Sequence, residues 1–247
     1  MIFLACAGLF VHMAVANSLA SYDHAALCSS CAFWTFVVGA AATWLFLVAL
    51  LTRLRRQYSP PIERGQRAAR SWATWMTIAR GLVISVVAGF ALPPAPAGRA
   101  RWLPGVLYAV AALADRADGA LARRANGVTA LGAKLDVVTD AVGLFVAPVV
   151  GVRWGRLPPW YLALALAYPA FRLALRARRA RGLPVYLERS RRDPRARFFA
   201  GVQMVVVAAA LLPMLPRALT WTAATAAMLP TLALFVGEWR LVTSVSR

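Results

Sequence analysis

The sequence predicts an all-α polytopic membrane protein, on three observations. Of its 247 residues 61% are hydrophobic, and the mean hydropathy is +0.63. Several apolar runs are long enough to cross the hydrocarbon core of a bilayer at about 1.5 Å of rise per helical residue. Runs such as WTFVVGAAATWLFLVALL also lack the recurring polar face that a helix of a water-soluble bundle turns to solvent, which argues against such a bundle.

Taken in order, the apolar runs predict spans over 1–19, 32–52, 76–96, 103–124, 132–152, 158–177, 198–215 and 218–239. The first run has the length of a signal peptide but no positive n-region, so it reads as a retained helix. With the second it forms an appended N-terminal two-helix hairpin. Together with the start of a basic connector, RLRRQYSPPIERGQRAARSWATW, it makes a first unit, 1–58, distinct from 59–247. The Arg and Trp content of that connector fits a helix lying at the headgroup level. Cys28 and Cys31 form a C-x-x-C, but no second pair is present for zinc and no βαβ pattern surrounds them, so they read as incidental small residues.

Charge sets the orientation. The formal net charge is +19, from 28 basic residues, of which Lys134 is the one lysine, against 9 acids. Few aromatic residues interleave the basic runs to stack bases, which argues against nucleic acid as the partner. The arginines concentrate in 53–75, 124–131, 178–197 and the tail from 240, and the opposite side keeps Arg99, Arg101, Arg153, Arg156 and Arg217. The positive-inside rule then places both termini in the cytoplasm, with anionic lipid headgroups or phosphorylated substrates as partners. Trp160, Tyr161 and Trp221, near span ends, are expected to anchor at the interface.

Against that background the placement of the acids carries the chemistry. Four of the nine, Asp115, Asp118, Asp136 and Asp140, fall in DRADGALARRANGVTALGAKLDVVTD, at the cytoplasmic ends of two consecutive apolar helices. A carboxylate within a bilayer costs about 2.5 to 3.5 kcal/mol on insertion scales, so four together point to a functional site. Spacings of three and four put each pair on one face of its helix, and an antiparallel hairpin through RRANGVTAL is expected to bring the two faces together. Oxygen ligands converging in this way suit one hard divalent cation, or two. Small residues around them, including Gly119, Gly127 and Gly132, allow close helix approach and leave room for a ligand's phosphates. Arg123, on the face of Asp115 and Asp118, either neutralises a phosphate oxygen or pairs with an aspartate.

Written out, the stretch is D-x-x-D-G-x-x-A-R-x8-G-x3-D-x3-D, with Asp115, Asp118, Gly119, Ala122, Arg123, Gly132, Asp136 and Asp140 at its fixed positions. It resembles the signature of the CDP-alcohol phosphotransferases. The resemblance implies a six-transmembrane-helix catalytic core over about 70–242, with the first hairpin outside it. It implies two magnesium or manganese ions on Asp115, Asp118, Asp136 and Asp140, with Asp140 also the general base on the acceptor hydroxyl. It further implies contacts from Gly119, Arg123 and Thr129 to a cytidine diphosphate donor. Upstream, many members open the first core helix with P-N-x-L-T-x-x-R. Here ATWMTIAR keeps Thr77 and Arg80 and has Ala73 and Thr74 in place of the Pro and Asn. Thr74 and Thr77 are therefore either donor contacts or ordinary helix-start residues, with Arg80 in the latter case reaching out to the headgroups.

The same resemblance implies a bacterial inner-membrane enzyme of phospholipid biosynthesis whose site faces the cytoplasm. Its donor would be CDP-diacylglycerol or another CDP-alcohol, its acceptor a polar alcohol, and a homodimer is an open assembly. DPRARFFAGVQMVVVAAALL faintly resembles a region of the phosphatidylglycerophosphate and cardiolipin synthases, through Arg197, Gln203 and Met204. Arg172, Arg176 and Arg197 are either holders of an acceptor phosphate, which would suit glycerol 3-phosphate, or members of a positive-inside loop. The alternatives are a soluble CDP-alcohol donor with a lipid acceptor, or a cation or proton transporter that uses the aspartates.

Overall fold

Seven α-helices make up the architecture in a computed structural model that describes residues 29–57, 67–124, 130–186 and 194–244. They are α1 (Ser29–Gln57), α2 (Arg67–Gly89), α3 (Leu103–Arg124), α4 (Ala130–Arg153), α5 (Leu162–Ala180), α6 (Pro194–Leu211) and α7 (Arg217–Thr243). The span expected over 1–19, and Cys28, lie outside the described residues. Two helices, over Cys31–Leu54 and Arg217–Thr243, are long and apolar enough on their own to cross a membrane. Continuous apolar stretches in α2 and α6 are shorter, Met76–Gly89 and Phe198–Leu211.

The expected boundaries shift for local reasons. The span over 76–96 ends at Gly89, ahead of Pro93, Pro94 and Pro96, and begins earlier, at Arg67. The one over 158–177 starts as a 3-10 turn, Pro159–Tyr161, and becomes α-helical at Leu162. Helix α4 stops at a Schellman closure, where Arg156 N–H donates to the Gly151 carbonyl at 2.7 Å and Gly155 N–H to that of Val152 at 2.9 Å. Gly155 has φ +66, a conformation that costs any side-chain-bearing residue strain. Arg156 then reaches the carbonyls of Ala210, Leu212 and Leu215 at 2.9, 2.6 and 2.8 Å, which ties the end of α4 to the end of α6. Arg156, expected in an outside loop, is thus a buried structural tie, and burial together with Arg101 lowers its pKa.

Helices α2 and α4 form the centre. Helix α2 packs against α1, α3 and α4, and α4 also meets α5 and α6, while α7 closes the bundle against α6 and α5. The core gathers Ile84, Val87 and Ala88 of α2, Tyr108 and Ala111 of α3, and Phe145 to Val150 of α4 against Val207, Leu211 and Met228. The outer surface is apolar too: Leu113 is 68% exposed and Leu45 65%, as expected of side chains that face lipid rather than water.

Helix α1 meets α2 at two glycines. A Cβ at Gly89 would lie 2.6 Å from the Phe36 ring and 2.9 Å from the Phe36 carbonyl, and one at Gly39 would lie 3.1 Å from the Ala88 carbonyl. Phe36 stacks edge-on against Phe90, and Phe90 against Trp154, at centroid separations of 4.9 and 6.0 Å, so the chain of rings locks α1 to the end of α4. Gly89→Val should therefore destabilise the protein by about 1 to 3 kcal/mol through overpacking. Gly237→Ala, where a Cβ meets nothing within 4 Å, should be neutral or slightly stabilising. Thermal unfolding of both variants in one detergent checks the contrast, and equal midpoints would contradict the packing described.

Candidate active site

The site is assembled by Arg80. It sits in the middle of α2, only 7% exposed, where an unpaired guanidinium would be costly. Its Nη1 donates to Oδ1 of Asp115 on α3, and its Nη2 lies 3.2 Å from Oδ1 of Asp140 on α4. One guanidinium thus joins two carboxylates from two other helices. Their side chains keep 21% and 29% exposure, so the pair of acids remains reachable from outside the core.

This arrangement differs from the one expected in two respects. The interfacial alternative for Arg80 is overturned, because its guanidinium turns inward to the acids rather than outward to headgroups. The expected hairpin of α3 and α4 gave α2 no part, whereas among the described residues α2 packs against both. Electrostatics supplies the reason. Two carboxylates on directly apposed faces would repel, whereas an intervening cation lets both approach one point.

Asp140 opens on a cavity of about 280 Å³ lined by α4, α5, α6 and α7. Its walls are mostly apolar, from Leu144 and Pro148 to Leu164 and Phe235. The polar groups at its inner end satisfy one another. Tyr161 donates its hydroxyl proton to Gln203 Oε1, while Gln203 Nε2 donates to the Ala227 carbonyl at 2.6 Å and to Thr231 Oγ1 at 2.8 Å. Tyr161 was expected at the interface, but the 3-10 turn points it inward and it is 1% exposed. Trp160 and Trp221 do stack edge to face near the helix ends, 5.3 Å apart. On the other side of Asp140 a small chamber is lined by Arg80, Tyr108 and Met204. The buried Tyr108 hydroxyl has no hydrogen-bond partner there among the described residues. Sequence reasoning missed Tyr108, although its seven-residue spacing before Asp115 places both on one face of α3.

Of the other expected site residues, Thr77 lines a narrow groove with Trp44 and Leu47 of α1 and Thr139 of α4, a groove that includes neither Asp115 nor Asp140. Arg172 and Arg176 of α5 line a wide vestibule of about 900 Å³. The side chains of Thr74, Asp118, Gly119, Arg123, Asp136 and Arg197, and all of Thr129, lie outside the described residues. Helical spacing nevertheless puts Asp118 one turn after Asp115 in α3, and Asp136 one turn before Asp140 in α4. Among the described residues no group of three metal-ligating side chains occurs. The donor set still fits a magnesium or manganese ion: Asp115 and Asp140 are brought to a single cationic centre, and both offer the hard oxygens such ions select.

Arg80→Ala should lower stability by up to about 3 kcal/mol, the lower end for a broken buried pair, because both carboxylates keep some exposure. Adding Asp115→Asn to Arg80→Ala should recover part of the loss by removing a stranded charge. Unfolding midpoints in metal-free detergent check this, and an Arg80→Ala protein as stable as wild type would contradict the clamp.

The model of the CDP-alcohol phosphatidyltransferase family matches residues 70–234, which include α3 to α6 whole and most of α2 and α7. No curated protein and no solved structure matches the chain significantly. With the match running over two thirds of its length and Arg80, Asp115 and Asp140 inside it, the chain belongs to the CDP-alcohol phosphatidyltransferase family, membrane-embedded enzymes that transfer a substituted phosphate group from a CDP-alcohol and release CMP.

Proposed function

We propose that the protein transfers a phosphatidyl group from CDP-diacylglycerol to the hydroxyl of a polar alcohol resembling glycerol 3-phosphate, in phospholipid biosynthesis. The site would face the cytoplasm of a bacterial inner membrane. The observation that carries the reading is the convergence of Asp115 and Asp140 on Arg80, with Asp140 also lining the cavity bounded by α4, α5, α6 and α7.

Asp140 is placed to act on the acceptor. Its carboxylate lies 3.2 Å from Arg80, is partly exposed and lines the cavity, where it would accept a proton from a hydroxyl brought in. The alkoxide oxygen then bonds to the β-phosphorus of the donor, the bond from that phosphorus to the CMP oxygen breaks, and CMP leaves. Arg80 fixes the orientation of Asp140 and Asp115 through the step, so the base need not reorganise as charge moves. The family is in general metal-dependent, and the proposed ligands are Asp115, Asp118, Asp136 and Asp140. Two divalent ions there would neutralise the diphosphate and favour departure of CMP. Gly119, Arg123 and Thr129 are proposed to hold the donor, with Thr74 and Thr77 nearby, and Arg172, Arg176 and Arg197 the acceptor phosphate. The mostly apolar cavity walls would limit water near the approaching hydroxyl, which favours transfer over hydrolysis.

The test is release of CMP from CDP-diacylglycerol by the purified full-length protein with magnesium, across a panel of alcohols. Asp140→Asn should lower the rate by about 100-fold to 10,000-fold, the range for loss of a general base. Wild-type protein that releases no CMP with any acceptor, or Asp140→Asn protein that matches it, would sink the reading. Release from a soluble CDP-alcohol with a diacylglycerol acceptor, and not from CDP-diacylglycerol, would reverse the assignment of donor and acceptor.

A further inference from the structure

Helix α1 lies outside the stretch that matches the family, yet it forms one wall of the vestibule beside the site. Arg53 and Arg56 near its C-terminal end line this cavity of about 900 Å³ from one side, and Arg172 and Arg176 of α5 line it from another. Among the described residues none of the four makes a hydrogen bond or ion pair, and no acid lines the vestibule. Other arginines of this fold are tied down where they serve the structure. Arg80 holds two aspartates, Arg156 holds three carbonyls, and Arg178 donates to the carbonyls of Pro184 and Thr243 at 3.1 and 3.2 Å.

Four unpaired cations converging on one cavity repel one another, and an anion there relieves the repulsion. Guanidinium forks match the oxygens of a phosphate, and the neighbouring side chains of Phe46, Leu50 and Leu173 are apolar, with no carboxylate to compete for the arginines among the described residues. The vestibule also adjoins the cavity of Asp140, since Val137, Ala141, Tyr168 and Pro169 line both. Asp140 itself lies within the turn from Val137 to Ala141.

We propose that α1 completes a phosphate-binding vestibule, in which Arg53 and Arg56 act with Arg172 and Arg176 to hold the phosphate of a small polyol phosphate next to Asp140. The polyol phosphate is either free in solution or the headgroup of an anionic lipid. The proposal rests on the proposed function for the role of Asp140, and it adds half of the binding site from a helix the family match does not reach. A headgroup-level arginine belt would act through charge alone and would not depend on which arginines line the cavity.

Full-length protein in nanodiscs tests it through ligand-induced shifts of the unfolding midpoint, without turnover. In phosphatidylcholine discs, titration with glycerol 3-phosphate, with glycerol as control, reports the soluble source. Exchange into discs containing phosphatidylglycerol reports the lipid source. A response in either arm is expected, weakened about tenfold in apparent affinity by Arg53→Gln with Arg56→Gln, and to a similar extent by Arg172→Gln with Arg176→Gln. The control Arg99→Gln with Arg101→Gln, which removes the same charge from exposed positions outside the vestibule, should leave the response unchanged. The proposal is overturned if wild type responds to neither probe, if Arg53→Gln with Arg56→Gln responds as wild type does, or if the control weakens binding equally. Because binding is read without CMP release, a protein that binds but transfers nothing contradicts the proposed reaction and leaves the vestibule intact.

Discussion

The fold depends on one electrostatic constraint: two carboxylates are held inside an apolar bundle by a single buried arginine. Asp115 and Asp140 come from different helices and would repel on direct approach, so a cation has to stand between them. Arg80 meets that need from α2, and in doing so fixes the order of packing at the centre, with α2 in contact with both α3 and α4. Packing and charge reinforce each other here. The apolar side of α2, through Ile84, Val87 and Ala88, buries against the same two helices that its arginine joins.

From that clamp outward the structure divides by chemistry. Toward Leu157 and Phe90 the bundle is closely packed and is tied together by the bonds of Arg156 to backbone carbonyls and by stacked rings. Toward Asp140 the helices part. Pro148 and Pro169, inside α4 and α5, line the opening, and a proline within a helix frees a carbonyl and bends the axis. The Tyr161, Gln203 and Thr231 network at the inner end of the cavity is a fully bonded cross-link between the start of α5, α6 and α7. Such a network holds the cavity's shape without presenting free polar groups to a ligand.

Much of this was legible in the sequence, and the failures have physical causes. The helices followed from hydropathy, and Asp115 and Asp140 from the cost of acids in an apolar chain. The partner of the acids was not legible. Arg80 stands among 28 basic residues whose placement obeys the positive-inside rule, so nothing local separated a buried arginine from one that reaches for headgroups. Tyr161 was misplaced for a related reason: an aromatic near a span end is expected at the interface, and only the 3-10 turn at Pro159 turns it inward. Likewise no periodicity within α1 reveals that Arg53 and Arg56 face the arginines of α5, because that juxtaposition is tertiary. The roles assigned to Asp118, Asp136, Gly119 and Arg123 rest on the motif, since their side chains lie outside the described residues.

The central claim is that helices α3 and α4 present their aspartates as one cation site beside Arg80. Manganese binding, followed by electron paramagnetic resonance on purified protein with CDP-diacylglycerol present, tests it most directly. The account predicts saturable binding of about two ions by wild type, the number a paired-metal clamp requires, and loss of that binding when Asp115 and Asp136 are both changed to Asn. Absence of bound manganese in wild type, or binding unchanged in the double variant, would contradict it.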